Sequence, residues 1–275
     1  MQGAGNDYVY IVAEHPRNEA SLPILAQRIS DRHFGVGSDG LVVILPSDVA
    51  DYRMRMFNAD GSEAQMCGNA SRCIARLLHD KGYCAKTEIT LETLAGIKTL
   101  RLNLTGNDVS SVSVDMGKAT LSPRDIPVCS PDDTPLIDFP VNIGDNRFLI
   151  TAVGTGNPHG VVFTDEITDE LLSEFGPKLE TCDIFPEKGN IEFARVISRN
   201  QIEMRVWERG SGETLACGTG ACATVVAAVT LGLTDRNVTL YLRGGELNVE
   251  YREDGGLTLT GPAKEIAEGI YYNNQ

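Results

Sequence analysis

Residues 54–68 read MRMFNADGSEAQMCG, and residues 204–218 read MRVWERGSGETLACG. Aligned 54 against 204, an offset of 150 residues, Met54/Met204, Arg55/Arg205, Glu63/Glu213, Cys67/Cys217 and Gly68/Gly218 are identical, and Phe57 faces Trp207. The correspondence continues outward. Gly3-Ala4-Gly5-Asn6 stands opposite Gly154-Thr155-Gly156-Asn157, and a Ser- or Thr-led helical pattern follows each, from Ser21 and from Thr168. Ala95-Gly96-Ile97-Lys98 matches Gly244-Gly245-Glu246-Leu247 in position. Self-similarity at a fixed spacing marks a repeated structural unit, so the chain reads as a duplicated domain.

Within each half, short apolar or alternating runs predict strands: Val9–Val12, Leu41–Leu45, Tyr52–Phe57, Glu88–Thr93, Ile97–Leu104 and Val109–Met116 in the first. The second half supplies Gly160–Phe163, Ile191–Val196, Ile202–Trp207, Val238–Leu242, Glu246–Tyr251 and Leu257–Thr260. One helix follows each matched cysteine. Cys73, Ile74, Leu77 and Leu78 share a helical face, with Gly82 ending that helix. Ala221–Leu231 is apolar nearly all round, which predicts a buried helix, with Gly232 ending it. The expected fold is α+β: two pseudo-symmetric copies, each a curved mixed or antiparallel sheet wrapped around a central helix. The Pro- and Asp-rich stretch Ser122–Pro140 reads as the crossing between copies.

Composition narrows the function. The chain has 275 residues, enough for one large or two small domains and for a core that needs no staples. Lys and Arg total 24 against 38 Asp and Glu, a net charge of −14, which argues against nucleic-acid or anionic-lipid partners. The longest apolar stretch, Ala221–Leu233, is shorter than the roughly 20 residues a membrane helix needs, and the N-terminal MQGAGNDYVYIV is not a signal peptide. The reading is a cytoplasmic protein with reduced thiols.

Seven cysteines then need an explanation. None forms a CxxC pair, so neither a zinc site nor a dithiol is expected. Cys73 and Cys222 fall on apolar helix faces and read as core. Gly35-Val-Gly-Ser-Asp-Gly40 matches GxGxxG, but a helix precedes it and a strand follows, the reverse of a dinucleotide site; it reads as a glycine turn. Cys67 and Cys217 differ from the rest: each precedes Gly and opens a helix. A helix N-terminus offers unpaired N–H groups and partial positive charge. It is expected to lower the thiol pKa and can hold a carboxylate. Two such thiols across an inter-domain cleft suit inversion of a stereocentre, one removing a proton from one face and the other delivering a proton to the opposite face. Asn6, Asn58, Asn69, Asn157 and Asn190, with the charged pair Glu208 and Arg209, would suit a zwitterionic amino acid.

These segments resemble the diaminopimelate epimerases. The likeness is carried by Gly3-Ala-Gly-Asn6-Asp-Tyr8, Gly35-Val-Gly-Ser-Asp-Gly40, Phe57-Asn58 through Glu63, Met66-Cys67-Gly68-Asn69-Ala-Ser-Arg72, Gly156-Asn157-Pro158-His159, Gly189-Asn190-Ile-Glu-Phe, Trp207-Glu208-Arg209 and Ala216-Cys217-Gly218-Thr219-Gly220. The resemblance implies a cofactor-independent, metal-free enzyme interconverting LL- and meso-2,6-diaminopimelate in lysine and peptidoglycan precursor synthesis. It implies Cys67 and Cys217 as the acid/base pair, with His159 and Glu208 beside the thiols. Gly68, Asn69, Gly218 and Thr219 would hold the reacting carboxylate with help from Asn6 and Asn157. Asn58, Asn190 and Arg209 would grip the distal end. It implies a first domain of residues 1–117 plus 263–275, a second of 118–262, and a homodimer. Gly40 stands where some members carry Gln, so no side chain is offered there. The alternatives are a proline racemase or hydroxyproline epimerase, which typically has His where Asn69 follows Cys67-Gly68, and a thiol redox or metal-binding protein.

Overall fold

A computed structural model describes residues 1–14 and 19–273. Residues 15–18 of the first copy, and Asn274 and Gln275 of its expected returning segment, lie outside the described residues. The chain forms two compact units: Met1–Asp115 with the segment from Thr260 onward, and Met116–Leu259.

The first unit contains β1 (Gln2–Gly3), β2 (Asn6–Asp7), β3 (Val9–Val12), α1 (Leu22–Ser30), β4 (Gly40–Leu45), β5 (Tyr52–Asn58), β6 (Glu63–Ala64), α2 (Gly68–Asp80), β7 (Glu88–Thr93), β8 (Gly96–Thr105) and β9 (Asp108–Lys118), whose last residues run into the second unit. Its main sheet runs β3-β4-β5-β7-β8-β9, with β6 on β5. The pairs β3/β4 and β5/β7 are parallel, and β4/β5, β7/β8 and β8/β9 are antiparallel. Each parallel pair is bridged by a helix, α1 or α2, as parallel connections require.

The second unit contains β10 (Phe139–Ile143), β11 (Asn146–Gly154), β12 (Pro158–Phe163), α3 (Asp169–Glu180), β13 (Asn190–Ser198), β14 (Gln201–Glu208), β15 (Gly212–Thr214), α4 (Gly218–Thr230), β16 (Asn237–Leu242), β17 (Gly245–Tyr251) and β18 (Gly256–Gly261), whose last two residues run into the first unit. The order is β10-β11-β12-β13-β14-β16-β17-β18, with β15 on β14. Parallel β12/β13 repeats β3/β4 with α3 in place of α1, and parallel β14/β16 repeats β5/β7 with α4 in place of α2. The duplication read from sequence is therefore present in the strand pairing itself.

Each sheet is covered on two faces. All six residues of β4 are buried. Leu41, Val43 and Leu45 pack with Leu22, Ala26 and Ile29 of α1, and the alternate residues turn the other way. In the second unit Leu172 and Leu179 of α3 pack with Ile191 and Phe193. The cysteine helices fill the interior. Ten residues of α2 and ten of α4 are buried, and Gly82 and Gly232 follow them at positive φ (72° each), a conformation that terminates a helix without cost for glycine. Thr168 caps α3 by accepting the Leu171 N–H, whereas Ser21 belongs to a 3-10 turn, Glu19–Ser21, in helical geometry.

The stretch from Ser122 is irregular only as far as Asp138, and β10 and β11 are strands the periodicity does not announce. Pro140 sits in β10, which is at the edge of its unit's sheet, where a residue with no N–H is tolerated. A two-residue turn, Gly144-Asp145 with Gly144 at φ 59°, joins the pair. The returning segment is tied to the first unit: Gln2 and Lys264 exchange backbone bonds of 2.9 Å, and Arg76 donates to the Ala263 carbonyl at 2.8 Å.

Candidate active site

Cys67 is the N-cap of α2 in extended geometry (φ −138°, ψ 123°), with Gly68 and Asn69 buried in the first turn. Its thiol donates to Asn6 Oδ1 at 3.5 Å. Asn6 is itself held, because its Nδ2 donates to Asp39 Oδ2 at 2.7 Å. Asp39 also accepts the Asp7 amide, and Arg32 bridges Asp7 and Asp39 at 2.8 and 3.0 Å. Asn69 Oδ1 accepts from the fully buried Arg72 at 2.7 Å. Asn58, at the end of β5, donates to Ser62 Oγ at 3.0 Å in a tight turn.

Cys217 is the N-cap of α4, also extended (φ −123°, ψ 116°). Its sulfur accepts the Gly220 N–H at 3.4 Å and lies 3.4 Å from Thr219 Oγ1. Glu208, the last residue of β14, accepts from the Thr214 hydroxyl, and its carboxyl acts electrostatically on the nearby Cys217 thiol. His159 on β12 is fully buried. Its Nδ1 lies 2.7 Å from Glu192 Oε1 and its Nε2 lies 2.9 Å from Asn157 Oδ1. The structure thus gathers Asn157, His159, Glu208, Gly218 and Thr219 about Cys217, and Asn6, Gly68 and Asn69 about Cys67.

Electrostatics at Cys217 overturn the expected acidification. Burial pushes this thiol well above the usual range, and the Glu208 and Glu192 carboxyls push the same way. The Thr219 hydroxyl and the Gly220 amide favour thiolate without overcoming them. The helix N-terminus acts as expected in sign, but it is outweighed by desolvation, which no local sequence reading contains. Burial likewise raises Glu208, opposed by the Thr214 hydroxyl, the Cys217 thiol and nearby His159. Burial and the two carboxyls favour the protonated form of Cys217.

Asn190 is 3% exposed, and its amide is engaged: Nδ2 donates to the Pro158 carbonyl at 2.9 Å and Oδ1 accepts the Arg209 amide at 3.0 Å. It fixes the loop that presents Arg209, whose guanidinium is exposed and donates only to the Glu187 carbonyl at 3.3 Å among the contacts described. Three residues escaped the sequence reading. Asp39 orients Asn6, and Glu192 contacts His159. Glu180 accepts the Trp207 indole N–H at 2.8 Å and the Gly210 amide at 3.1 Å, securing both ends of the Glu208–Arg209 turn. A carboxylate between the apolar residues Ile191 and Phe193 at the start of a strand is the available signal for Glu192. Among the described residues no cluster of three or more His, Cys, Asp or Glu could hold a metal ion.

The fold recurs in solved structures. A phenazine biosynthesis protein of the PhzF family from Bacillus anthracis superposes with a TM-score of 0.68 at 17% identity, covering 98% of this chain and 95% of that one. A probable proline racemase from Agrobacterium radiobacter K84, with bound carbonate, gives 0.65 at 15% identity over 94% and 88%. Together with cysteines at equivalent helix starts, this places the chain in the class of duplicated, racemase-like folds. Its sequence relatives are more specific. The family model described as diaminopimelate epimerase matches residues 1–122 and 151–266. A diaminopimelate epimerase from Agathobacter rectalis is 49% identical over 98% of this chain and 96% of its own length. One from Methanococcus maripaludis is 48% identical over 98% and 97%. The chain belongs to the diaminopimelate epimerase family.

Proposed function

We propose that this protein interconverts LL- and meso-2,6-diaminopimelate by removing a proton from one face of the reacting Cα and returning one to the other. The observation that carries the reading is the pair of thiols, Cys67 and Cys217, each N-capping a buried helix at equivalent positions of a duplicated fold. Two monoprotic groups suit inversion because a single base tends to return the proton to the face it left. Inversion needs the two sulfurs on opposite faces of one carbon.

The burial of Cys217 supports a starting state for the pair. Cys217, buried beside two carboxyls, begins protonated; Cys67 acts as the base that removes the Cα proton from one face, Cys217 then delivers its own proton to the other, and the reverse reaction exchanges these roles. The unpaired N–H groups at the starts of α2 and α4 stabilise negative charge developing at the substrate carboxylate. Asn157 donates to that carboxylate, and Arg209, held out by Asn190, takes the distal carboxylate through its planar fork. We infer a cytoplasmic enzyme, consistent with its free cysteines, and a homodimer, which sedimentation analysis tests. No helix among the described residues is long and apolar enough to cross a membrane.

Incubation with LL-diaminopimelate in deuterium oxide is expected to place deuterium at the inverted Cα, with no turnover of proline or hydroxyproline. Cys67→Ala and Cys217→Ala are each expected to abolish inversion. Full activity in either variant sinks the two-thiol mechanism, and preferential turnover of proline or hydroxyproline sinks the substrate assignment.

A further inference from the structure

Glu192 lies in β13 where the strand is buried on both faces, and its side chain is fully buried. A carboxyl there is costly unless partnered. Oε1 is 2.7 Å from His159 Nδ1, while Oε2 has no hydrogen-bond partner. The first turn of α4 makes room for it: a Cβ on Gly220 would lie 2.5 Å from Glu192 Oε1 and 3.3 Å from the Cys217 Cβ. The carboxyl is thus wedged between His159 and the helix that Cys217 caps.

The second ring nitrogen decides what this contact does. His159 Nε2 lies 2.9 Å from Asn157 Oδ1, an atom that only accepts hydrogen bonds. With the amide in this orientation, the ring carries hydrogen on Nε2. Glu192 is compatible with either state of Nδ1, accepting from it as carboxylate or donating to it as carboxylic acid. With its oxygen bonded to the ring, the Asn157 amide keeps its two N–H groups for a ligand, and these suit a carboxylate.

We propose that Glu192 is a positioning residue of the Cys217 half of the site: it holds His159 through Nδ1, and His159 Nε2–H in turn fixes the Asn157 amide with its N–H groups available to the substrate carboxylate. The last clause rests on the epimerase reading; the control of the ring does not. The other titratable groups about Glu192 are His159 from β12, Glu208 from β14 and Cys217 from α4.

Nitrogen-15 NMR of histidine side chains in the full chain reads the hydrogen on each ring nitrogen, with His159 assigned by the signal lost in His159→Gln. Hydrogen on Nε2 is expected in the unmutated protein and in Glu192→Gln, whose amide can still donate to Nδ1. In Glu192→Ala the ring is expected to populate both tautomers. With LL-diaminopimelate, Glu192→Ala is expected to lose about tenfold in kcat/KM, mostly through KM, and Glu192→Gln to recover most of it, on the scale of one buried hydrogen-bond partner removed. A wild-type ring bare at Nε2 overturns the proposal before any variant is made. A folded Glu192→Ala protein with an unchanged Nε2 signal, or with wild-type KM, also overturns it. Expected ring signals in a wild-type protein inert toward diaminopimelate support control of the ring and sink the substrate reading instead.

Discussion

Asn6 and Asn157 hold equivalent places in the two copies, and their amides are turned in opposite senses. Asn6 gives an amide hydrogen to Asp39 at 2.7 Å and shows its oxygen to the Cys67 thiol at 3.5 Å. Asn157 gives its oxygen to His159 at 2.9 Å and keeps its hydrogens. One residue type thus shows its oxygen to the thiol in one copy and keeps its amide hydrogens in the other, because Asp39 holds the first amide by its nitrogen and His159 holds the second by its oxygen.

Substitution by aspartate separates the two roles. Asn6→Asp sets a carboxylate against Asp39, and like charges in contact disfavour ionisation of both. The variant is expected to lose about 1 kcal/mol of stability, visible as a lower Tm. Asn157→Asp pairs well with His159 but confronts the substrate carboxylate with negative charge. It is expected to keep its Tm and raise KM by tenfold or more, about 1.4 kcal/mol. Equal effects of both on KM would mean that the amides are oriented alike.

Legibility in the sequence followed the range of the interactions. The cysteine helices could be read because their signals are local: a Cys-Gly start, a run of small or apolar residues, and Gly82 or Gly232 two residues past the last turn. The duplication could be read because it survives as a fixed spacing. β10 and β11 were hidden by Pro140, although Ile143-Gly144-Asp145-Asn146 carries a hairpin signal of two turn residues between strands. The state of the Cys217 thiol was not legible, since it depends on burial and on two carboxyls brought in from other strands. The hydrogen bonds by which Asp39 holds Asn6 and Asn190 holds the Arg209 amide run between segments far apart in the chain, so they were not legible either.

The buried Cys217 thiol predicts a loss of stability at alkaline pH. Its folded pKa is raised above the ordinary value of 9.0, so the stability linked to its proton is fully present below about pH 9. As pH rises further, the unfolded thiol ionises while the folded one does not. Each additional pH unit then costs up to about 1.4 kcal/mol until the folded pKa is reached. Denaturant midpoints measured from pH 7 to 10.5 are expected to fall less steeply in Cys217→Ala than in the unmutated chain. Parallel curves would show that Cys217 ionises equally in both states.

Glu180 predicts a fluorescence change. Burial raises its pKa, but the Trp207 indole, the Gly210 amide and Lys188 together outweigh burial and leave it below the usual carboxylate value. The ionised form is therefore favoured by folding, and that contribution is present above the ordinary carboxylate pKa and lost as pH falls through the lowered one. Trp207 is the single tryptophan, and its ring also lies against Gly176 of α3. Glu180→Ala removes the partner of a half-buried indole N–H, at about 1 kcal/mol, and loosens the turn carrying Glu208 and Arg209. The expected results are a red-shifted Trp207 emission, a lower Tm and a raised KM. Unchanged emission would mean that packing alone holds the indole.

Gly40 predicts that an apparent gap in the site cannot be filled by one substitution. The family resemblance makes Gln the natural replacement. Gly40 opens β4 opposite Asn58, and a Cβ there would press on the Phe57 carbonyl, come within 2.7 Å of the Tyr8 ring and lie 3.1 Å from the Asn58 Cα. Two of these atoms are backbone, so the strand end itself must move. Gly40→Gln is expected to cost about 2 kcal/mol through overpacking and to raise KM by displacing Asn58, with no gain in kcat. Thermal denaturation and steady-state kinetics on the one variant check both halves. A variant with unchanged Tm and lowered KM would show that β4 yields at this point and that the missing amide contact can be supplied from position 40.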